Sequence, residues 1–284
     1  MENTKLEIPE EPKQKYKVWR GYKNDKPFFV RADPKLQTVF NNALNRNKRN
    51  WDYVAIVAGI PGAGKSTFAM QGARYLDPNF DESKIAFNAE QFIKITNDAE
   101  PYSAVVLDES FHDLNSRSKM SYAFMEVVGH LQLLRQKRLY IFLCLPNFFD
   151  LSQDIAIFRA SHLFYVYEYD NGMRGRFRFY DRNSKTRLYV MGKKFMNYDC
   201  VRGIFFGNFY DDEVVDEEKY LKMKEEHLKS QEKREKISKS SVYFAKVLNL
   251  ITERKIFTMK ELEDHTGCNA STLQSIKTRY LPST

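Results

Sequence analysis

The stretch GIPGAGKST at residues 59–67 restricts the fold more than any other part of the 284-residue sequence. Gly59, Gly64, Lys65 and Ser66 match the spacing G-x-x-x-x-G-K-[ST] of a P-loop. Small residues let backbone N–H groups turn inward around an anion, and this spacing suits the α- and β-phosphates of a nucleotide. Gly59, Pro61, Gly62, Ala63, Gly64, Lys65, Ser66 and Thr67 are therefore the expected phosphate-binding set. Lys65 would reach the β- and γ-phosphates, and the Ser66 hydroxyl would hold Mg²⁺. Such a loop needs a buried strand before it and a helix after it, whose N-terminus favours negative charge. Tyr53 to Ala58 reads as that strand and Phe68 to Tyr75 as that helix.

The rest of the chain continues the alternation. Asp33 and Pro34 open a helix with Leu36, Val39, Phe40 and Ala43 at helical spacing. Strands are expected at 85–88, 103–108 and 139–145, with helices at 65–76, 89–97 and 120–136. Alternating strands and helices imply parallel pairing. The expected fold is α/β: a P-loop NTPase with a mostly parallel central sheet flanked by helices, and a small C-terminal helix-turn-helix domain. From "HLFYVYEYD" at 162 onward a β-rich part is expected to about residue 192, with turns at "DNG" and "RNSK". The expected organisation is an arm over 1–32, the ATPase domain with its hairpin over 33–210, a charged helical linker over 211–240 and the helical domain over 241–284.

"AVVLDES" at 104–110 has the form of a Walker B segment, an apolar strand running into Asp108 and Glu109. Asp108 would join Ser66 in holding Mg²⁺, and Glu109 would act as general base for an attacking water. A second carboxylate beside the metal ligand suits a hydrolase, which must activate water. Asn147, at the tip of "LYIFLCLPN", is a candidate γ-phosphate sensor; a turn role after Pro146 fits it as well. Arg135 and Arg159 flank that strand and are candidate arginine fingers for a neighbouring subunit's nucleotide, or surface ion pairs.

The glycine loop, the LDE strand and "RQKRLYIFLCLPNFFDLSQDIAIFRASHLF" together resemble the FtsK/HerA-type P-loop ATPases of the ASCE class. Within them the chain is similar to the Zot-like branch of phages, plasmids and archaeal viruses, over about residues 50–210. Many relatives carry glutamine at the strand tip where this chain has Pro146-Asn147. The resemblance implies ATP and Mg²⁺ as cofactors, a homo-oligomeric ring, often a hexamer, and DNA as the partner moved by hydrolysis.

The formal net charge of +8 leans toward a polyanionic partner. Arg117 and Lys119 in "SRSKMS" are candidate phosphate contacts. In 173–190 the period of two puts Arg174, Arg176 and Arg178 on one face and Phe177 and Phe179 on the other, a basic ribbon or a half-buried hairpin. "FTMKELEDHTGCNASTLQSIKTRYL" fits a helix-turn-helix, with Gly267 at the bend and Leu262, Leu273 and Ile276 inward. Its second helix would present Ser271, Thr272, Gln274, Ser275 and Lys277 to a major groove. A small bundle for protein contact is the alternative there.

Cys144, Cys200 and Cys268 are too few and scattered for a disulfide framework, and no apolar run nears the ~18 residues of a membrane span. A cytoplasmic setting is expected, inside the host cell if the chain is virus-encoded. The leading expectation is an ATP-hydrolysing DNA motor for packaging or transfer. A replication initiator or helicase loader, a nucleotide or polynucleotide kinase, and a nucleotide-switched regulator fit the same loop.

Overall fold

The computed structural model describes residues 17–23, 26–108, 122–168, 172, 174–210, 212–229, 248, 258–266 and 268–280; side chains are described from residue 30 onward, except in parts of some helices. The chain divides into two compact units, residues 1–220 and 221–284.

The first unit is built on a seven-stranded mixed sheet. Its strands are β3 (Tyr53–Ala58), β4 (Ile85–Ala86), β5 (Ala104–Leu107), β6 (Tyr140–Leu145), β7 (His162–Tyr167), β8 (Arg176–Tyr180) and β9 (Phe205–Asn208). They lie in the order β4-β5-β6-β3-β7-β8-β9. β4, β5, β6, β3 and β7 pair in parallel; β8 adds antiparallel to β7, and β9 antiparallel to β8. Ahead of them, β1 (Lys17–Lys23) and β2 (Lys26–Arg31) form a separate antiparallel ribbon. Its last residue is tied to the sheet's far end: Arg31 Nε donates to Asp212 Oδ1 at 2.7 Å.

β3 and β6 are buried along their whole length, as expected for parallel strands covered on both faces. Alternate residues serve opposite layers. Val54, Ile56, Ile141, Leu143 and Leu163 join a core with Phe92, Leu131, Phe148, Ile155 and Leu188. On the other face, Phe142 and Phe164 meet Phe40 of α1 (Pro34–Asn47), and Phe164 also meets Phe68 of α2 (Lys65–Leu76). α2 lies close to β6 because Gly72 has no side chain: a Cβ there would sit 2.7 Å from the Phe142 ring. The layer that contains Phe92, Leu131 and Leu188 is closed by α3 (Ala89–Asp98), α4 (Tyr122–Leu133) and α5 (Arg182–Gly192).

Two sequence expectations are corrected here. Strand 85–88 ends after Ala86, because the Asn88 side chain accepts from Gln91 N at 2.8 Å and caps α3. The hairpin expected to run through 190 stops at β8. "RNSK" is the first turn of α5 rather than a β-turn: Asp181 accepts from Ser184 N at 2.8 Å and from its hydroxyl at 2.7 Å. Leu188 and Tyr189 then bury the helix against the core, and β8, already antiparallel to β7, takes β9 as its other antiparallel neighbour. The period-two reading holds within β8 itself, where Phe177 and Phe179 are buried and Arg178 pairs with Asp199.

A further helix, α6 (217–229), contains the boundary between units. In the second unit, α7 (Met259–Thr266) and α8 (Ala270–Tyr280) are separated by residues 267–269. Thr258 and Glu261 cap α7 reciprocally: Thr258 N donates to the Glu261 carboxylate at 2.6 Å, and Glu261 N donates to Thr258 Oγ1 at 3.2 Å. Asn269 accepts from Ser271 N at 2.8 Å and opens α8. Leu248 and Leu273 are buried. No helix among the described residues is long and apolar enough to cross a membrane.

Candidate functional site

β3 ends at Ala58, the loop runs through Gly64, and α2 starts at Lys65. Gly62 and Gly64 adopt φ of 84° and 94°, in the left-handed region that side chains disfavour. Gly59 answers a different demand. A Cβ at that position would lie 2.1 Å from the Val166 carbonyl oxygen, so the strand can leave the sheet beside β7 only without a side chain. Phe209 backs the loop; its ring stands 3.0 Å from where a Gly64 Cβ would be.

The mouth of the loop is open. Ile60, Pro61 and Gly62 are exposed, while Ala63 is buried and Ser66 and Thr67 are half-buried. Lys65 is buried and its ammonium donates to Ile60 O at 2.9 Å, so the charge lies along the inside of the loop. A helix start at this point favours negative charge at the loop.

Asp108 lies one residue beyond β5 and is 1% exposed. Its backbone N–H donates to Ala86 O at 2.8 Å, which fixes its position beside β4. Ser66 donates its hydroxyl to Asp108 Oδ1 at 2.6 Å. The Tyr220 hydroxyl donates to Oδ2 at 2.7 Å. A buried carboxylate is costly unless hydrogen-bonded, and these hydroxyls supply bonds of the charge-assisted kind. Burial, and then the adjacent Asp108 charge, push the Tyr220 phenol well above its ordinary range, so it stays a proton donor.

Loop and acidic strand tip therefore meet, with the side chains of Lys65, Ser66 and Asp108 gathered at one end of the sheet. Ser66 and Asp108 offer hard oxygen ligands of the type Mg²⁺ takes alongside phosphate oxygens and water. The donor set fits the ion implied by the resemblance. Glu109, Arg117 and Lys119 lie outside the described residues.

The remaining sequence candidates stand elsewhere. Asn147 follows β6, but its side chain serves the next turn: Oδ1 accepts from Phe149 N at 3.3 Å and from the Tyr198 hydroxyl at 3.2 Å, and Nδ2 donates to Asp150 at 3.2 Å. Arg159 pairs with Asp52 and donates Nε to Leu131 O at 2.8 Å. The Arg135 guanidinium lies 5.3 Å from the centroid of Trp51. Asp52 and Trp51 precede β3, so within the chain both arginines are a strand length, roughly 20 Å, from the loop. Ser271, Thr272, Gln274 and Ser275 are exposed on α8 of the second unit; the Lys277 side chain lies outside the described residues.

Comparison of the sequence with models of known protein families finds no match, and comparison with curated protein sequences finds none either.

Sequence reasoning missed two side chains at the loop. Tyr220 lies in the charged run 211–240; an aromatic residue among Glu and Lys was the available signal. Arg174, read as one member of an alternating ribbon, brings Nη2 to 3.8 Å from the point where a Gly62 Cβ would stand. Only the folded β7–β8 hairpin reveals that approach.

Proposed function

We propose that the chain is an ATP-hydrolysing motor acting on DNA, a translocase of the FtsK/HerA type serving packaging or transfer in a mobile genetic element. The observation that carries the nucleotide part is the 2.6 Å bond from Ser66 to Asp108 at the open end of a glycine loop. It joins loop and acidic strand tip, as one magnesium-bound triphosphate requires. The strand order favours the ASCE class over a nucleotide kinase: β6 lies between the loop-bearing β3 and the acid-bearing β5. That inserted strand is the additional strand from which the class takes its name.

In this reading the backbone of 59–66 cradles the phosphates, and Lys65 leaves Ile60 O to neutralise the β- and γ-oxygens. Ser66 and Asp108 would hold Mg²⁺, which when bound would supply positive charge to the phosphate oxygens. Glu109 takes a proton from the water that attacks the γ-phosphorus, and ADP leaves as that phosphorus–oxygen bond breaks. Arg174, near Gly62, is placed to offset charge on the outer side of the loop. The DNA part is supported by the net charge of +8 and by the capped helix pair α7–α8, which suits a helix-turn-helix. A ring of copies follows from the family reading.

Phosphate release with and without DNA tests the proposal. The expected results are DNA-stimulated hydrolysis and no phosphorylated acceptor. Lys65→Ala should weaken triphosphate binding by at least tenfold, about 1.4 kcal/mol, in equilibrium titration. Glu109→Gln should bind ATP and turn it over far more slowly. Unchanged nucleotide affinity in Lys65→Ala would sink the reading.

A further inference from the structure

The sheet end away from the loop carries a second concentration of chemistry. Trp51 and Tyr102, just before β3 and β5, are 42% and 41% exposed. Guanidinium groups attend both rings. Arg46 lies 5.1 Å and Arg135 5.3 Å from the Trp51 centroid. Arg138 lies 5.8 Å from the Tyr102 centroid and donates to its hydroxyl at 2.8 Å.

The backbone is arranged to hold this set. Asn50, Tyr102 and Arg138 have φ of 65°, 70° and 54°, three of the four left-handed non-glycine residues among those described. For a bulky residue such as tyrosine that region is sparsely populated, and such conformations cluster at binding sites. They are locked by bonds between neighbouring strand starts. Tyr102 N donates to Arg138 O at 3.1 Å, and the buried Asn47 donates Nδ2 to the same carbonyl at 2.8 Å. β6 separates β5 from β3, so the two rings start roughly 10 Å apart at ordinary strand spacing.

Cations outnumber carboxylates here. Among the described residues, Arg46, Lys48, Arg49, Arg135 and Arg138 form no ion pair with a carboxylate. Asp52, the carboxylate at the centre of this edge, is already taken by Arg159. Glu100 is exposed two residues before Tyr102. Next to this edge, a cavity of about 630 Å³ opens between α1 and the starts of β3 and β7, lined in part by Asn42, Arg46, Arg49, His162 and the carboxylates Asp52 and Asp181. Burial, followed by the Arg46 charge, lowers the His162 pKa to about 4, so the imidazole wall is neutral.

Exposed rings beside guanidinium groups that no carboxylate neutralises are what an unstacked base and its phosphate require together. Rings and guanidinium planes stack any base, and the cations follow the backbone. An acidic protein surface would use the cations but not the exposed rings. We infer that this edge, Arg46, Arg49, Trp51, Tyr102, Arg135 and Arg138, binds single-stranded nucleic acid. The inference shares the nucleic-acid partner of the proposed motor but none of its ATP chemistry, and it rests on residues other than those of α8, Arg117 and Lys119.

The full chain should be photo-cross-linked to iodouracil-substituted oligonucleotide and digested, with anisotropy titration of labelled oligothymidylate alongside. Adducts are expected on peptides containing Trp51 or Tyr102. Trp51→Ala should weaken binding about tenfold, while Trp51→Phe, which keeps a stacking face, should retain most of it. Arg46→Gln with Arg135→Gln should flatten the salt dependence by about 1.4 in log–log slope, ~0.7 for each phosphate no longer neutralised. Lys65→Ala should cross-link like the wild type, so failed ATP hydrolysis leaves this result standing. Adducts confined to 259–280, or wild-type affinity in a folded Trp51→Ala chain, would overturn the inference. So would association of copies through this edge with no oligonucleotide bound.

Discussion

Asp108 is the residue on which the candidate site turns, because its oxygens accept from side chains 42 and 112 positions away in the chain. Ser66 belongs to the loop, and Tyr220 belongs to a segment that looks like a linker. Tyr220→Phe removes a donor from a buried carboxylate while keeping the ring against Phe87. The expected cost is about 1–3 kcal/mol of folding stability, read by urea denaturation without nucleotide. A change within experimental error would show that the hydroxyl holds nothing in place. His162 offers a test at another site. Burial, with Arg46 adding and Asp181 opposing, lowers its pKa to about 4. The folded chain therefore resists a proton that the unfolded chain accepts below about 6.5. Stability from this group is complete above that value and lost as pH falls toward 4, at a slope approaching ~1.4 kcal/mol per pH unit. His162→Gln should flatten that stretch of the stability curve; parallel curves would assign the acid sensitivity elsewhere.

Elements differ in how much of their placement is written locally. The loop, β3, α2 and β5 were legible, since their signals are spacing and continuous apolar runs within a few residues of one another. α5 was not. Residues 182–192 begin with the Asn, Ser and Lys of a turn, and only the Asp181 cap and the core beneath Leu188 make them helical. Asp181→Ala should therefore cost about 1 kcal/mol, with loss of amide protection concentrated in 182–192 on hydrogen exchange. Uniform loss across the sheet would point to a different function for this carboxylate. At the site, the convergence of Lys65, Ser66 and Asp108 was legible from motif spacing alone. Tyr220 and Arg174 were not, because both arrive through long-range topology. Asn147 has the turn role that its neighbour Pro146 suggests, as its bonds to Phe149 and Asp150 show.

For the whole molecule, the division at residue 220 leaves the acidic strand tip dependent on the last residue of the first unit. A chain ending at 229 should keep the nucleotide affinity of the full protein. A chain ending at 216 loses Tyr220 and the Lys219–Glu82 pair, and should melt lower and bind more weakly. Equal melting of the two truncations would show that the first unit does not need this segment. The sheet itself bears on how copies meet. Its outer strands are two residues at β4 and four at β9, the latter containing Gly207. Such stubs give an incoming chain almost no row of backbone amides to dock on. Copies meeting at these two edges would be cemented by side chains, able to slide or tilt against one another without tearing a shared sheet.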